Sequence, residues 1–189
     1  MTDGADHPIT ELFRAVQNGH PAAEAELIEM VYGQLRGIAQ SAFARDGDRV
    51  RTLQPTAIVN EAWLKLAGDL GRYENRRHFF AVAATAMRHV IADAAKAKGR
   101  EKRGGGAHQI TLIEDATAAR TDVDVAELDD ALAKLAELNA RHARIVELRF
   151  FGALTVDETA ELLDVSPRTV AADWVMARTW LRRELGRDT

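Results

Sequence analysis

The chain has 189 residues, 47% of them hydrophobic, with 29 Asp and Glu against 25 Lys and Arg for a formal net charge of -4. That is apolar material for one large core or two small ones, and the absence of cysteine excludes disulfides, thiolate metal sites and cysteine nucleophiles together. No apolar run reaches bilayer length, and the opening MTDGADHPIT lacks the basic head and apolar stretch of a signal peptide, so a cytoplasmic protein without membrane insertion is expected.

In chain order, apolar residues recur at helical spacing in Leu12 and Val16, then in Leu27, Ile28, Val31, Leu35 and Ile38, then in Ile58, Ala62 and Leu66, and then in Phe79, Val82, Ala86 and Val90. Between the last two groups begins a basic stripe. Residues 72–103 hold nine Lys and Arg against three Asp and Glu, whereas residues 1–71 hold six against ten and residues 104–189 ten against sixteen. The stripe interleaves cations with rings, as in Arg72, Tyr73, Arg76, Arg77, His78, Phe79, Phe80, Arg88, His89, Lys96 and Arg100. Single-stranded nucleic acid needs that mixture, because unstacked bases lie on rings while cations hold phosphates. Phe79 and Phe80 open a helix and are expected in the core instead. The segment Arg72 to His78 reads as a polar connection between two helices, where core packing makes little demand.

Near residue 104 the chain changes character. KGREKRGGGA runs from basic to Gly-rich, and the residues through Val125 carry no sustained periodicity, so a flexible tether is expected with no strand on either side of it. Helical spacing resumes in Leu128, Leu132 and Leu135 and in Ile145, Val146 and Leu148. The fold class is therefore all-α: two small helical domains, roughly 8–100 and 124–186, joined by a flexible linker, with no internal repeat.

The stretch VDETAELLDVSPRTV, Val156 to Val170, has helix-turn-helix spacing. Ala160 stands where the helices cross and only a small side chain fits, and Leu162 and Leu163 are expected to close the first helix onto a core. Asp164 takes a turn position that favours positive φ, usually glycine, which Asp tolerates better than most residues. Ser166 can cap the second helix, with Pro167 at its first position. A DNA reader is the implied class. An enzyme is not, since the six histidines form no metal-spaced pair and Gly104 to Gly106 follows a basic helix rather than a strand; neither a metal nor a cofactor is expected. A standalone operator-binding regulator is the alternative, but it needs its own duplex affinity and usually a dimer surface. With its one basic segment flanked by acidic ones, the free protein is expected to bind duplex DNA poorly.

Three segments, LQPTAIVNEAWLKL, NRRHFFAVAATAMRHVIADAAKAKGREKRGGG and VELRFFGALTVDETAELLDVSPRTVAADWVMARTWLRREL, resemble in sequence, order and separation the extracytoplasmic-function (ECF) type of bacterial RNA polymerase sigma factor. The resemblance runs from about Ile9 to Leu185. It implies a region 2 domain at 9–103, a linker at 104–125 and a region 4 helix-turn-helix domain at 126–186. It also implies core RNA polymerase (β′ clamp helices and β flap) and promoter DNA as partners, and it leaves open whether an anti-sigma factor binds. By the same resemblance Asn60, Glu61, Leu64 and Lys65 dock on polymerase, and Arg72, Tyr73, Asn75, Arg76, Arg77, His78, Arg88, His89, Lys96 and Arg100 meet the minus-ten element. Ser166, Pro167, Arg168, Thr169, Ala171, Ala172 and Arg178 meet the minus-thirty-five element, while Val170, Trp174, Ala177 and Leu181 face the core. The chain departs from its relatives at Val82, where many carry an aromatic residue, at His89 before Asp93, and at Ala171 and Ala172, which cannot hydrogen-bond base edges.

Overall fold

All four prolines of the chain open a helix: Pro8 begins α1 (Pro8–Gln17), Pro21 α2 (Pro21–Phe43), Pro55 α3 (Pro55–Leu66) and Pro167 α8 (Pro167–Leu185). The first turn of a helix leaves its amides unpaired, so the missing proline N–H costs nothing there. The structure, a computed structural model, describes residues 8–43, 55–68, 70–101, 109–112 and 121–186. A single 3-10 turn, Leu70–Arg72, leads into α4 (Arg76–Glu101), and α5 (Val125–Leu138), α6 (Ala140–Val146), a π-helical turn at Glu147–Phe151 and α7 (Val156–Leu163) complete the helical part.

The longest helix, α4, is covered from two sides. Phe79, Phe80, Ala83, Ala84, Met87, Val90 and Ile91 are all buried, and they pack into one continuous core with Phe13, Leu27, Val31, Leu35, Ile58, Ala62 and Leu66 from the N-terminal helices and with Leu128, Leu132, Leu148, Phe151 and Leu154 from the C-terminal ones. Of the expected stripe, Phe79 and Val90 are buried, whereas Val82 is exposed and Ala86 only half-buried. The two halves of the chain share this core; periodicity marks which face is apolar but not what covers it. Gly152 sets how closely they approach. A Cβ there would stand 2.6 Å from the Leu148 carbonyl oxygen of its own turn, and 3.0 Å from the Phe80 carbonyl oxygen and 3.1 Å from the Ala84 Cβ on α4, so glycine lets the π-helical turn lie close on α4 without shifting main chain.

Within 104–125 the structure holds two four-residue strands, Gln109–Leu112 and Thr121–Asp124, paired antiparallel with Ile110 opposite Val123, the first of them beside α2. No strand was expected there, because four residues are too few for an alternation to register and the pairing joins segments apart in sequence. The chain remains all-α in class.

The helix-turn-helix is built as its sequence demands. Thr155 and Glu158 form a reciprocal capping box at α7, and Asp164 ends that helix at φ 53 in the left-handed region. Ser166 Oγ accepts from the Thr169 amide at 3.0 Å, capping α8. Ile145, Ala160 and Val170 make a small buried cluster at the crossing. Leu162 departs from expectation: it is exposed, and Leu163 alone of the pair packs inward.

Phe79→Ala removes a fully buried ring that touches Phe13, Tyr73 and Phe80, and we expect it to cost about 3–5 kcal/mol in urea unfolding. Leu64→Ala, at a side chain 81% exposed, should stay within about 0.5 kcal/mol of the parent in the same measurement.

Candidate nucleic-acid and polymerase interfaces

The basic stripe is not a loop at its centre. Asn75 Oδ1 accepts from the His78 amide at 2.9 Å, which starts α4 and places Arg76, Arg77 and His78 in its first turn. Tyr73 is buried among Phe13, Phe79 and His78, and its hydroxyl donates to the Leu66 carbonyl at 3.2 Å. Its ring therefore has no open face for a base, contrary to expectation, because a ring between two helices is taken up by the core that joins them. Arg72 lies over that ring, 4.7 Å from its centroid, and points its guanidinium at the carbonyls ending α3. Tyr73, Arg72 and Asn75 thus shape the connection from within.

Four further cations of the stripe face the C-terminal half. Arg76 pairs with Glu158 and Arg77 with Glu161, both on α7. Arg88 Nε donates to Asp129 Oδ1 at 3.0 Å and lies 4.0 Å from Glu147, while Lys96 Nζ stands 2.7 Å from Asp129 and 3.5 Å from Asp130. Arg144 crosses back, donating to Thr85 Oγ1 at 3.0 Å, to the Ala81 carbonyl at 3.3 Å and to Glu147 at 2.6 Å. So four stripe cations meet carboxylates from α5, the π-helical turn and α7. The signal for these partners was the excess of acids after residue 104, with nothing in spacing to say where they fold. His89 is exposed on the same helix, and the side chain of Arg100 lies outside the described part.

On α3 the residues Asn60, Glu61, Leu64 and Lys65 are exposed, opposite the buried Ile58, Ala62 and Leu66. Sequence reading missed two neighbours. Tyr32 of α2 donates to Asn60 Oδ1 at 2.6 Å and meets Trp63 edge-on at 6.1 Å, so a half-buried aromatic pair borders this surface. On α8, Arg168, Ala171 and Ala172 are exposed as expected for a reading face, and Val170, Ala177 and Leu181 are buried. Arg178 instead lies over Trp174, 5.5 Å from its centroid. Val175 and Met176, which sequence reading also missed, are exposed beside the alanines.

The positions expected to face polymerase and those expected to face DNA lie on separate helices of one fold, and the sequence model of the ECF sigma factor family matches residues 6–187. The chain belongs to the ECF sigma factor family. The family is a non-catalytic one that acts with RNA polymerase at promoters in transcription initiation. No curated protein matches the chain significantly. Among the described residues of this ECF sigma factor, no helix is long and apolar enough to cross a membrane and no cluster of His, Asp and Glu could hold a metal.

The contact between stripe and acids perturbs two groups in this ECF sigma factor. The hydrogen bond from Lys96 to Asp129 holds the Lys96 ammonium above its ordinary value of 10.5, against the opposing effect of burial. Burial alone would raise the Asp129 carboxyl, but the Lys96 hydrogen bond and the Arg88 and Lys96 charges outweigh it and hold the group below its ordinary 3.8. A lowered carboxyl contributes stability above the ordinary value and loses it as pH falls through the folded one; a raised ammonium contributes below its ordinary value and loses it as pH rises through the folded one. Both contributions are present at neutral pH. Asp129→Asn should therefore lower the urea midpoint at pH 7, and the gap to the parent should narrow as pH drops below 3.8. A gap that persists unchanged at low pH would mean that Asp129 acts through packing rather than charge.

Proposed function

We propose that this chain is a promoter-selecting subunit of RNA polymerase: it docks on the β′ clamp helices through α3, places α4 on the opened minus-ten strand and sets α8 in the duplex of the minus-thirty-five element. The observation that carries the reading is the family match across residues 6–187, which spans all three helices. The exposed Asn60, Glu61, Leu64 and Lys65 on one turn-and-a-half of α3 support the polymerase surface. The capped helix-turn-helix with Arg168 exposed at the start of α8 supports the duplex reader.

The division into a region 2 domain at 9–103, a linker at 104–125 and a region 4 domain at 126–186 belongs to this reading, as do the β flap as the second docking point and a cytoplasmic site of action. Arg76, Arg77, Arg88, His89 and Lys96 are the proposed strand-holding set, with Arg72, Tyr73 and Asn75 positioning them. An anti-sigma partner has no residue assigned to it.

Gel filtration of the full chain with core polymerase tests the reading, and co-elution is the expected result. Glu61→Lys reverses a charge on an exposed face without touching Ile58, Ala62 or Leu66, so it should weaken co-elution by about tenfold or more in affinity, the loss of a close charge pair at an interface. Helicity and unfolding midpoint should not change. If the parent fails to co-elute and instead footprints a duplex site alone at nanomolar concentration, the operator-binding regulator takes the place of this reading.

A further inference from the structure

The exposed face of α8 has an unusual chemistry for a base reader. Arg168, Ala171, Ala172, Val175, Met176, Thr179, Arg182 and Arg183 fall at successive three- and four-residue steps and are all exposed, so they form one stripe along the helix. Its ends are cationic and its middle is apolar. The polar side chains nearby are already engaged: Thr169 with Ser166 at 2.8 Å, Asp173 with Arg141 at 2.7 Å and His142 at 3.3 Å, and Thr179, whose hydroxyl donates to the Val175 carbonyl at 2.8 Å. From Arg168 to Arg182 the helix rises about 21 Å, enough for the terminal cations to reach phosphates on both banks of a major groove about 12 Å wide. Charge complementarity therefore names the occupant as duplex DNA, with the apolar centre over base edges.

Only one group on those edges is apolar, the C5 methyl of thymine. Resting on the proposed function, we infer that α8 reads thymine methyls through Ala171, Ala172, Val175 and Met176, and so selects A·T pairs at the centre of the upstream element. Cytosine methylated at C5 presents the same group.

The test uses holoenzyme reconstituted from the full chain and core polymerase, and promoters selected from fragments randomised across the upstream element. Adjacent A·T pairs should be enriched at its centre. Replacing each such thymine by deoxyuridine removes the methyl and keeps the pairing, and should weaken promoter retention by about fourfold per contacted methyl. Val175→Ser with Met176→Gln, its fold checked by helicity, should bring the thymine-to-deoxyuridine ratio towards one. Retention indifferent to deoxyuridine at every position, or an element centred on G·C pairs, overturns this inference and leaves the sigma reading standing. Failure of any promoter to be retained overturns both.

Discussion

Everything in this molecule is arranged around the burial of α4 on two opposite sides. A helix that packs only against its N-terminal neighbours would leave Phe80, Ala84 and Met87 without cover, and the C-terminal helices supply that cover through Leu148, Phe151 and Leu154. At about 25 cal/mol per Å² of apolar surface, the shared core is the largest favourable term holding the halves together. The ion pairs around its rim contribute less. Arg77 and Glu161 are 38% and 61% exposed, a setting in which a pair is worth at most about 1 kcal/mol.

The rim pairs matter for selectivity more than for strength. A surface lined with Arg and Lys attracts any polyanion, and carboxylates at the same positions satisfy those cations while the protein is alone. Because the attraction is electrostatic and partly solvated, it is screened by salt, but exchanging it for phosphate contacts on α4 also uncovers the core that the two halves share. Arg88 differs from Arg77 in this respect: with Asp129 it is 16% and 18% exposed, and it also donates to the Asp129 carbonyl at 3.3 Å. The pairs differ singly rather than along the helix: Arg76 with Glu158, at the very start of α4, is 12% and 23% exposed, close to Arg88 with Asp129.

Much of this architecture was legible before the structure. Ser166 with Pro167 marks a helix start because its chemistry is local, involving amides within one turn; the same chemistry at Pro8, Pro21 and Pro55 and in the Thr155 and Glu158 box went unread. The small residue at Ala160 and the turn at Asp164 were legible for the same reason. What sequence could not show depends on residues far apart: that Tyr73 lies inside, that Val82 faces out, and that Glu158, 82 positions from Arg76, would be its partner. For the candidate site, residue types on α3 and α8 could be read, but the exposure of Val175 and Met176, on which the chemistry of the reading face turns, required knowing which side of α8 the core takes.

Gly152 carries a consequence for how the two halves can meet. Its backbone lies against the carbonyl of Phe80, and any larger residue would have to displace main-chain atoms of α4 or of its own turn. A side chain introduced at this position would hold the second half off the first, however well their charges match.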